Sequence, residues 1–149
     1  MKINNVVVIG SGTMGSGIAA QLCNANIPVT LLDLKTEISQ KAKERIEKSR
    51  PPLLIDKSKI DGINVGNIAD NFNLVAEADW IVEAVVERID IKHDIYEKIF
   101  KKRKKDSIVS SNTSSIPISV LSEKLSEEDK KDFCITHFFN PVRLSLIHI

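Results

Sequence analysis

The sequence has few of the features that mark specialised protein classes. Its two cysteines, Cys23 and Cys134, lie far apart and fit neither a disulfide framework nor a metal-binding spacing, so we expect each to be a small buried apolar residue. No apolar run approaches the ~20 residues of a membrane helix, and the short N-terminal run ends at Gly10 without a signal-cleavage pattern. These absences predict a cytoplasmic protein with no membrane segment.

The chain also lacks a large excess of positive or negative charge. The 21 basic and 20 acidic residues leave a net charge of +1, so no overall field favours nucleic acid or an anionic membrane. The basic run at residues 101–105 suggests a nucleic-acid or targeting segment. However, it falls at the end of a predicted helix, where cations interact favourably with the helix dipole. We therefore expect a solvated surface there and no nucleic-acid partner.

Short β-branched runs alternate with longer amphipathic stretches along the chain. This alternation is typical of strand–helix units around a buried parallel sheet, and 149 residues suit one domain. The predicted strands cover residues 5–9, 29–32, 80–86, 107–111 and 133–138, with a weaker sixth at 63–67. The predicted helices cover residues 14–24, 36–48, 70–78, 89–103 and 117–125. The expected fold is α/β, with a doubly wound, mostly parallel sheet and helices on both faces.

A glycine-rich turn follows the first predicted strand. Gly10 allows the tight turn that other residues resist. Gly12 lets a pyrophosphate approach the backbone amides at the helix N-terminus, and Gly15 lets the helix lie close to the strand. The turn, including Thr13 and Met14, is therefore the predicted phosphate-binding segment of a Rossmann-like dinucleotide site.

Asp33 ends the second predicted strand, 18 residues after Gly15, where roughly 20 are typical of an acidic residue that binds ribose. It would accept hydrogen bonds from the adenosine ribose and repel the extra phosphate of NADP, so NAD is the predicted cofactor. Alternatively, Asp33 caps the helix that begins near Thr36 or is a solvated loop residue. These uses are not mutually exclusive.

Polar segments follow three later strands. In an open parallel sheet the ligand lies beyond the carboxyl ends of the strands. Glu87 and Lys92 follow the strand at 80–86, residues 112–115 follow the next, and residues 137–141 end the last. All three segments are expected at the same edge of the sheet.

Together with the glycine turn and Asp33, these segments resemble the 3-hydroxyacyl-CoA dehydrogenases of fatty-acid β-oxidation, including the branch fused to an enoyl-CoA hydratase. The resemblance covers residues 1–143, and residues 110–115 and 137–141 carry it more specifically than the glycines do. It implies NAD-dependent oxidation of (S)-3-hydroxyacyl-CoA to 3-ketoacyl-CoA, or the reverse. It also implies an acyl-CoA substrate and a homodimeric full-length protein.

The resemblance further assigns roles to residues. His137 matches the general base that takes the 3-hydroxyl proton while hydride leaves for nicotinamide. Ser114 and Asn140 would lie against nicotinamide and the substrate oxygen, and Glu87 and Lys92 would contact the ribose and phosphate side of the cofactor. No metal is implied. Taken singly, each residue has a plainer interpretation as a structural histidine, helix cap, turn residue or surface charge.

The C-terminal residues 144–149 depart from the family pattern. Family members keep a glutamate twelve residues after the histidine, where it hydrogen-bonds the imidazole, but this position is Ile149 here. We therefore expect an incomplete NAD-binding domain at 1–143, lacking the last strands and the C-terminal helical domain, and a tail foreign to the family at 144–149.

Losing an acid that orients the base predicts little or no dehydrogenase activity for the chain alone. Three alternatives remain: a non-catalytic NAD-binding fragment or sensor, a related β-hydroxyacid dehydrogenase, and a nucleic-acid-binding protein whose affinity falls steeply with salt.

Overall fold

In the computed structural model, which describes residues 2–145, a parallel sheet forms the centre of the chain. Its six strands are β1 (Val6–Ile9), β2 (Val29–Asp33), β3 (Ile63–Asn67), β4 (Trp80–Glu83), β5 (Ile108–Ser111) and β6 (Phe133–Ile135). They lie in the order β3-β2-β1-β4-β5-β6, and every neighbouring pair is parallel. This order confirms the predicted doubly wound, Rossmann-like fold and makes the weaker sixth strand the edge strand β3.

Helices cover both faces of the sheet. They are α1 (Thr13–Asn24), α2 (Thr36–Lys48), α3 (Ile68–Asn71), α4 (Ile89–Lys102), α5 (Ile118–Leu121), α6 (Glu127–Lys130) and α7 (Val142–Ser145), with 3-10 turns at Lys57–Gly62 and Phe72–Ala76. Successive strand residues face opposite sides. Val6 and Val8 therefore join the apolar cluster under α1 and α2, whereas Val7 and Ile9 join the cluster under α4. Both faces of β1 are buried, which explains its unbroken apolar sequence.

The first helix ends where the sequence predicts. Asn26 adopts a left-handed conformation with φ 60°. Its amide donates to the carbonyl of Cys23 at 3.0 Å, and the amide of Ile27 donates to the carbonyl of Leu22 at 3.0 Å. These bonds satisfy carbonyls of the last helical turn, as glycine usually allows at this position.

Two strands, β4 and β6, end three residues earlier than predicted. The strand expected at 80–86 ends at Glu83, because the Glu83 carboxylate accepts a hydrogen bond from the amide of Val85 at 2.8 Å and turns the chain out of the ladder. The strand expected at 133–138 ends at Ile135. Beyond it, the amide of Phe138 donates to the side chain of Asn112 at 2.9 Å instead of to a neighbouring strand.

Two helices differ from their predictions by more than one residue. The segment expected as one helix at 70–78 begins earlier, as α3, because the Asn67 side chain caps its first turn, and it continues as a 3-10 turn. The helix expected at 117–125 is reduced to α5. Pro117 is its N-cap residue, one position before the helical position predicted for it, and Ser122 ends it. The hydroxyl of Ser126 then caps α6 separately.

The basic run at 101–105 is only partly a solvated surface. Lys101 is exposed and pairs with Glu97 one turn earlier. The prediction is wrong for Arg103, whose buried guanidinium donates to Asp132 at 2.7 Å and lies over the Phe100 ring. Arg103 therefore joins α4 to the segment before β6.

The two cysteines differ in burial. Cys23 is buried in the cluster under α1, as predicted, whereas Cys134 is only half-buried, so for it the prediction is right only in part. Within residues 2–145, no helix is long and apolar enough to cross a bilayer.

Candidate functional site

The carboxyl ends of β1, β4 and β5 open onto one cleft of about 490 Å³. The cleft lies where the strand order reverses between β1 and β4, the position at which such sheets bind ligands. Its walls include seven residues singled out from the sequence: Gly12, Thr13, Met14, Glu87, Ser114, His137 and Asn140. Of the other predicted site residues, Gly10, Gly15, Asp33 and Lys92 do not line this cleft.

The motif glycines differ in what surrounds them. Gly10 has φ 103°, and a β-carbon there would lie 2.4 Å from the carbonyl oxygen of Ala84. A β-carbon on Gly15 would lie 1.8 Å from the carbonyl oxygen of Gly10. Around Gly12, by contrast, no heavy atom of the described residues other than its chain neighbours lies within 4 Å of an added β-carbon. The fold itself therefore requires Gly10 and Gly15, while Gly12 borders open space.

Asp33 is tied to the glycine turn. One carboxylate oxygen accepts from the amide and the hydroxyl of Ser11, at 2.7 and 2.5 Å, and the other accepts from the amide of Leu34 at 2.7 Å. The alternative interpretation of Asp33 as a helix cap is wrong, because the N-cap residue of α2 is Lys35. The guanidinium of Arg45 on α2 also donates to the carbonyl oxygen of Ser11 at 3.0 Å. These contacts hold the carboxylate beside the turn.

Sequence reasoning missed a buried carboxylate at the end of β4. Glu83 is 0% exposed and accepts four hydrogen bonds. The donors are the Lys92 ammonium at 2.7 Å, the Tyr96 hydroxyl at 2.6 Å, the Ser111 hydroxyl at 2.6 Å and the Val85 amide at 2.8 Å. An acidic residue that ends an apolar strand, with Lys and Tyr four residues apart on the next helix, is the sequence signal that could have revealed it. Burial and the charge of Glu83 raise the pKa of Tyr96, which keeps its hydroxyl a donor.

Lys92 is placed differently from the expectation. Its side chain is 1% exposed, so the predicted direct contact with the cofactor does not fit the structure. The ammonium instead lies between Glu83 and Glu87, at 2.7 and 3.3 Å. It faces the cleft only through Glu87, whose side chain is 38% exposed.

Glu87 is held by the loop after β5. It accepts hydrogen bonds from the hydroxyls of Thr113 and Ser115. Partial burial alone would raise the pKa of Glu87, but the Thr113 hydrogen bond, the Lys92 charge and the Ser115 hydrogen bond together lower it. Glu87 therefore presents an ionised carboxylate to the cleft.

His137 is exposed in the loop that follows β6, and its ring packs against that of Phe139 with centroids 4.6 Å apart. Asn112 anchors this loop through the amide of Phe138. Asn112 was foreseen only as part of the segment 112–115. The substituted glutamate position, Ile149, lies outside the described residues. Within residues 2–145, no group of three His, Cys, Asp or Glu side chains is placed to hold a metal ion.

Comparison with known protein families identifies the family of the chain. Residues 5–147 match the family described as the NAD-binding domain of 3-hydroxyacyl-CoA dehydrogenase. The chain belongs to this family. Its cofactor is NAD, in agreement with the glycine turn and Asp33. The matched range continues past residue 143 to residue 147.

Similar proteins carry corresponding names. The chain is 43% identical to a probable 3-hydroxyacyl-CoA dehydrogenase of Deinococcus radiodurans, over 96% of this chain and 43% of that protein. It is 42% identical to a putative fatty acid oxidation complex trifunctional enzyme of Rickettsia felis, over 95% of this chain and 21% of that protein. A 3-hydroxybutyryl-CoA dehydrogenase of Escherichia coli K12 has a similar structure, with TM-score 0.84, 25% identity and coverage of 97% of this chain and 31% of the other. The chain thus spans less than half the length of these relatives.

The turn of this NAD-binding domain suits a pyrophosphate. Helix α1 begins directly after Gly12, and its first turn holds no acidic residue and no side-chain cap. The N-terminus of a helix attracts anions through its free amides and its dipole. The open space at Gly12 gives an anion room to approach, because no side chain among residues 2–145 fills it.

Proposed function

We propose that this chain is the NAD-binding part of an enzyme that interconverts (S)-3-hydroxyacyl-CoA and 3-ketoacyl-CoA in fatty-acid β-oxidation. The supporting observation is the single cleft in which the glycine turn meets Glu87, Ser114, His137 and Asn140. The names of the relatives support the substrate class. We further propose a cytoplasmic enzyme that is a homodimer in its full length.

In this proposal NAD lies across the switch between β1 and β4. The hydroxyls of the ribose at its adenosine end would donate hydrogen bonds to the carboxylate of Asp33, whose negative charge disfavours the extra phosphate of NADP. Its pyrophosphate would lie at Gly12, with Thr13 and Met14 beside it. Its nicotinamide end would reach Glu87 and Ser114 on the other side of the cleft, with Lys92 acting through Glu87 and not by direct contact. When bound, NAD supplies the hydride acceptor.

The protein's own residues would handle the proton. A neutral imidazole of His137 would take the proton of the substrate's 3-hydroxyl as the carbonyl forms. Asn140 and Ser114 would orient that oxygen through their amide and hydroxyl groups. His137 is exposed, which leaves its ring accessible to a substrate in the cleft.

The proposed activity needs more than the region described. An acid that orients the base is missing at position 149, where the sequence has isoleucine. We therefore propose that residues 1–143 contain the residues that bind NAD, and that the chain by itself binds NAD but shows little or no dehydrogenase activity.

A titration and a chimera together test this proposal. Calorimetry on the 149-residue chain should detect NADH binding with at least a tenfold preference over NADPH. Residues 1–143 placed in the Deinococcus radiodurans relative should support NAD-dependent oxidation of (S)-3-hydroxybutyryl-CoA, and His137→Gln should abolish it while NADH binding remains. Absence of NADH binding, or a chimera that is active with His137→Gln, would contradict the proposal.

A second candidate, a non-catalytic NAD-binding module or sensor, is favoured by Ile149 alone. It predicts that the chimera binds NADH but remains inactive. It also predicts that acetoacetyl-CoA leaves the affinity of the chimera for NADH unchanged, whereas in the enzyme the two ligands would share the cleft.

A further inference from the structure

Glu83 joins the two loops that form the wall of the cleft beyond β4 and β5. Its carboxylate binds the amide of Val85 in the first loop and the hydroxyl of Ser111, which precedes the second. Glu83 itself is fully buried and does not line the cleft. We propose that Glu83, acting through Lys92, is a positioning residue that sets the orientation and charge of Glu87, and so the affinity for the nicotinamide end of the cofactor. This inference rests on the proposed function.

The hydrogen bonds of Glu83 fix its orientation. One oxygen accepts from Val85 and Lys92, at 2.8 and 2.7 Å, and the other accepts from Tyr96 and Ser111, both at 2.6 Å. With two donors on each oxygen, any rotation of the carboxylate breaks several bonds at once. Charge-assisted hydrogen bonds are stronger than neutral ones. The position of the Lys92 ammonium is therefore determined by a group outside the cleft.

Lys92 connects Glu83 to Glu87, because its ammonium, held by Glu83, also pairs with the Glu87 carboxylate. Its ammonium is held between two carboxylates and is 1% exposed, so water hardly screens the pair. Two carboxylates share one cation, which leaves this cluster with a net negative charge. Glu87 is the member that reaches the cleft. A net negative cluster suits a ribose hydroxyl donor, and it favours the cationic ring of oxidised NAD over the neutral ring of NADH.

The substitution Glu83→Gln tests this role because it removes one negative charge with almost no change in shape. It should lower the affinity of the 149-residue chain for NADH at least tenfold, because Lys92 then pairs with Glu87 alone and the carboxylate turns from the ligand. The affinity for oxidised NAD should fall about threefold further. The affinity for ADP, which occupies only the adenosine side, should stay within twofold.

A double-substitution cycle separates positioning from a merely structural role. In a Glu87→Gln background, Glu83→Gln should no longer change the affinity for NADH, because the group through which it acts is gone. Asp132→Asn is the matched control: it neutralises a carboxylate 2.7 Å from a buried cation, Arg103, away from the cleft. It should lower the thermal midpoint without changing affinity for NADH.

Tyr96→Phe gives a milder version should Glu83→Gln prevent folding. It removes one of the four donors and leaves the charges in place, and should weaken NADH binding about threefold. Equal losses for NADH and ADP, an unchanged NADH affinity in both variants, or additive effects in the Glu87→Gln background would overturn the inference. If the unsubstituted chain bound ADP but not NADH, the proposed function itself would fail. If the unsubstituted chain bound both ligands but the variants did not lose NADH affinity selectively, the inference alone would fail.

Discussion

The two halves of the sheet build their parts of the cleft by different means. Around β1 and β2 the site is made mainly by backbone: the positive φ of Gly10, the open space at Gly12 and the N-terminus of α1. Around β4 and β5 it is made by side chains, and Glu83 and Lys92 beneath it are ionic and buried. Backbone donors are fixed as soon as the strand and helix form, whereas a buried charge depends on its partners. The two halves should therefore respond differently to substitution.

The largest effect is expected from breaking the buried ion pair in the second half. Lys92→Met leaves the fully buried Glu83 without its cation, and such a change destabilises a protein by about 3–5 kcal/mol. Urea denaturation would measure it. Lys101→Met is the matched control on the same helix, because the exposed pair with Glu97 contributes only about 0–1 kcal/mol. Similar losses for both variants would refute the contrast.

In the first half, the position of a substituted glycine should decide whether stability or binding is lost. Gly10→Ala combines a positive φ with a β-carbon 2.4 Å from a carbonyl oxygen, and we expect a loss of about 2–4 kcal/mol. The free energy of unfolding of Gly12→Ala should lie within about 0.5 kcal/mol of the wild-type value, yet the substitution should weaken NADH binding more than tenfold. Thermal melts and calorimetry on the same samples would show both. A large loss of stability in Gly12→Ala would contradict the open space described.

Acid should reveal the role of Glu87 in the second half. Its pKa in the folded protein is below the ordinary 4.5, so its contribution to stability is present above that value and is lost as pH falls through the lower native value. Glu87→Gln should therefore be less stable than wild type at pH 6, by no more than about 1 kcal/mol because the carboxylate is partly exposed. The difference should shrink below pH 4. A difference that grew on acidification would have the wrong sign.

The smallest effect is expected in the reaction rates of the two thiols, one of which lies in each half. Burial raises the pKa of the Cys23 thiol to about 11, whereas Cys134 is half-buried and its pKa is raised less. Because the thiolate is the reactive form, a disulfide reagent at pH 8 should modify Cys134 before Cys23. The Cys134→Ala variant would assign the two phases. Faster modification of Cys23 would mean that the first half opens more readily than its packing indicates.

The sequence predicted the first half of the site better than the second. Glycines at fixed spacing between a strand and a helix, followed by Asp33, have a geometric meaning that can be read locally. Glu83 has no such local meaning, because its importance depends on Lys92, Tyr96 and Ser111 meeting it from α4 and β5. The same difference explains the shortened β4, because nothing in the run at residues 80–83 shows that the Glu83 side chain will accept a hydrogen bond from the amide of Val85. His137 was predicted through the family resemblance and not from a local pattern of its own.

The empty space beside Gly12 also bears on the history of such chains. Gly10 and Gly15 are held by folding, so selection for a stable protein preserves them whatever the chain does. In the described fold a β-carbon at position 12 would meet only its chain neighbours, so we expect that selection for ligand binding, and not for stability, keeps glycine there. Among descendants of this fold that no longer bind a dinucleotide, position 12 should be the first of the motif to drift. The glycine at position 12 of this chain is therefore the residue of the motif that most directly reflects selection for binding a dinucleotide.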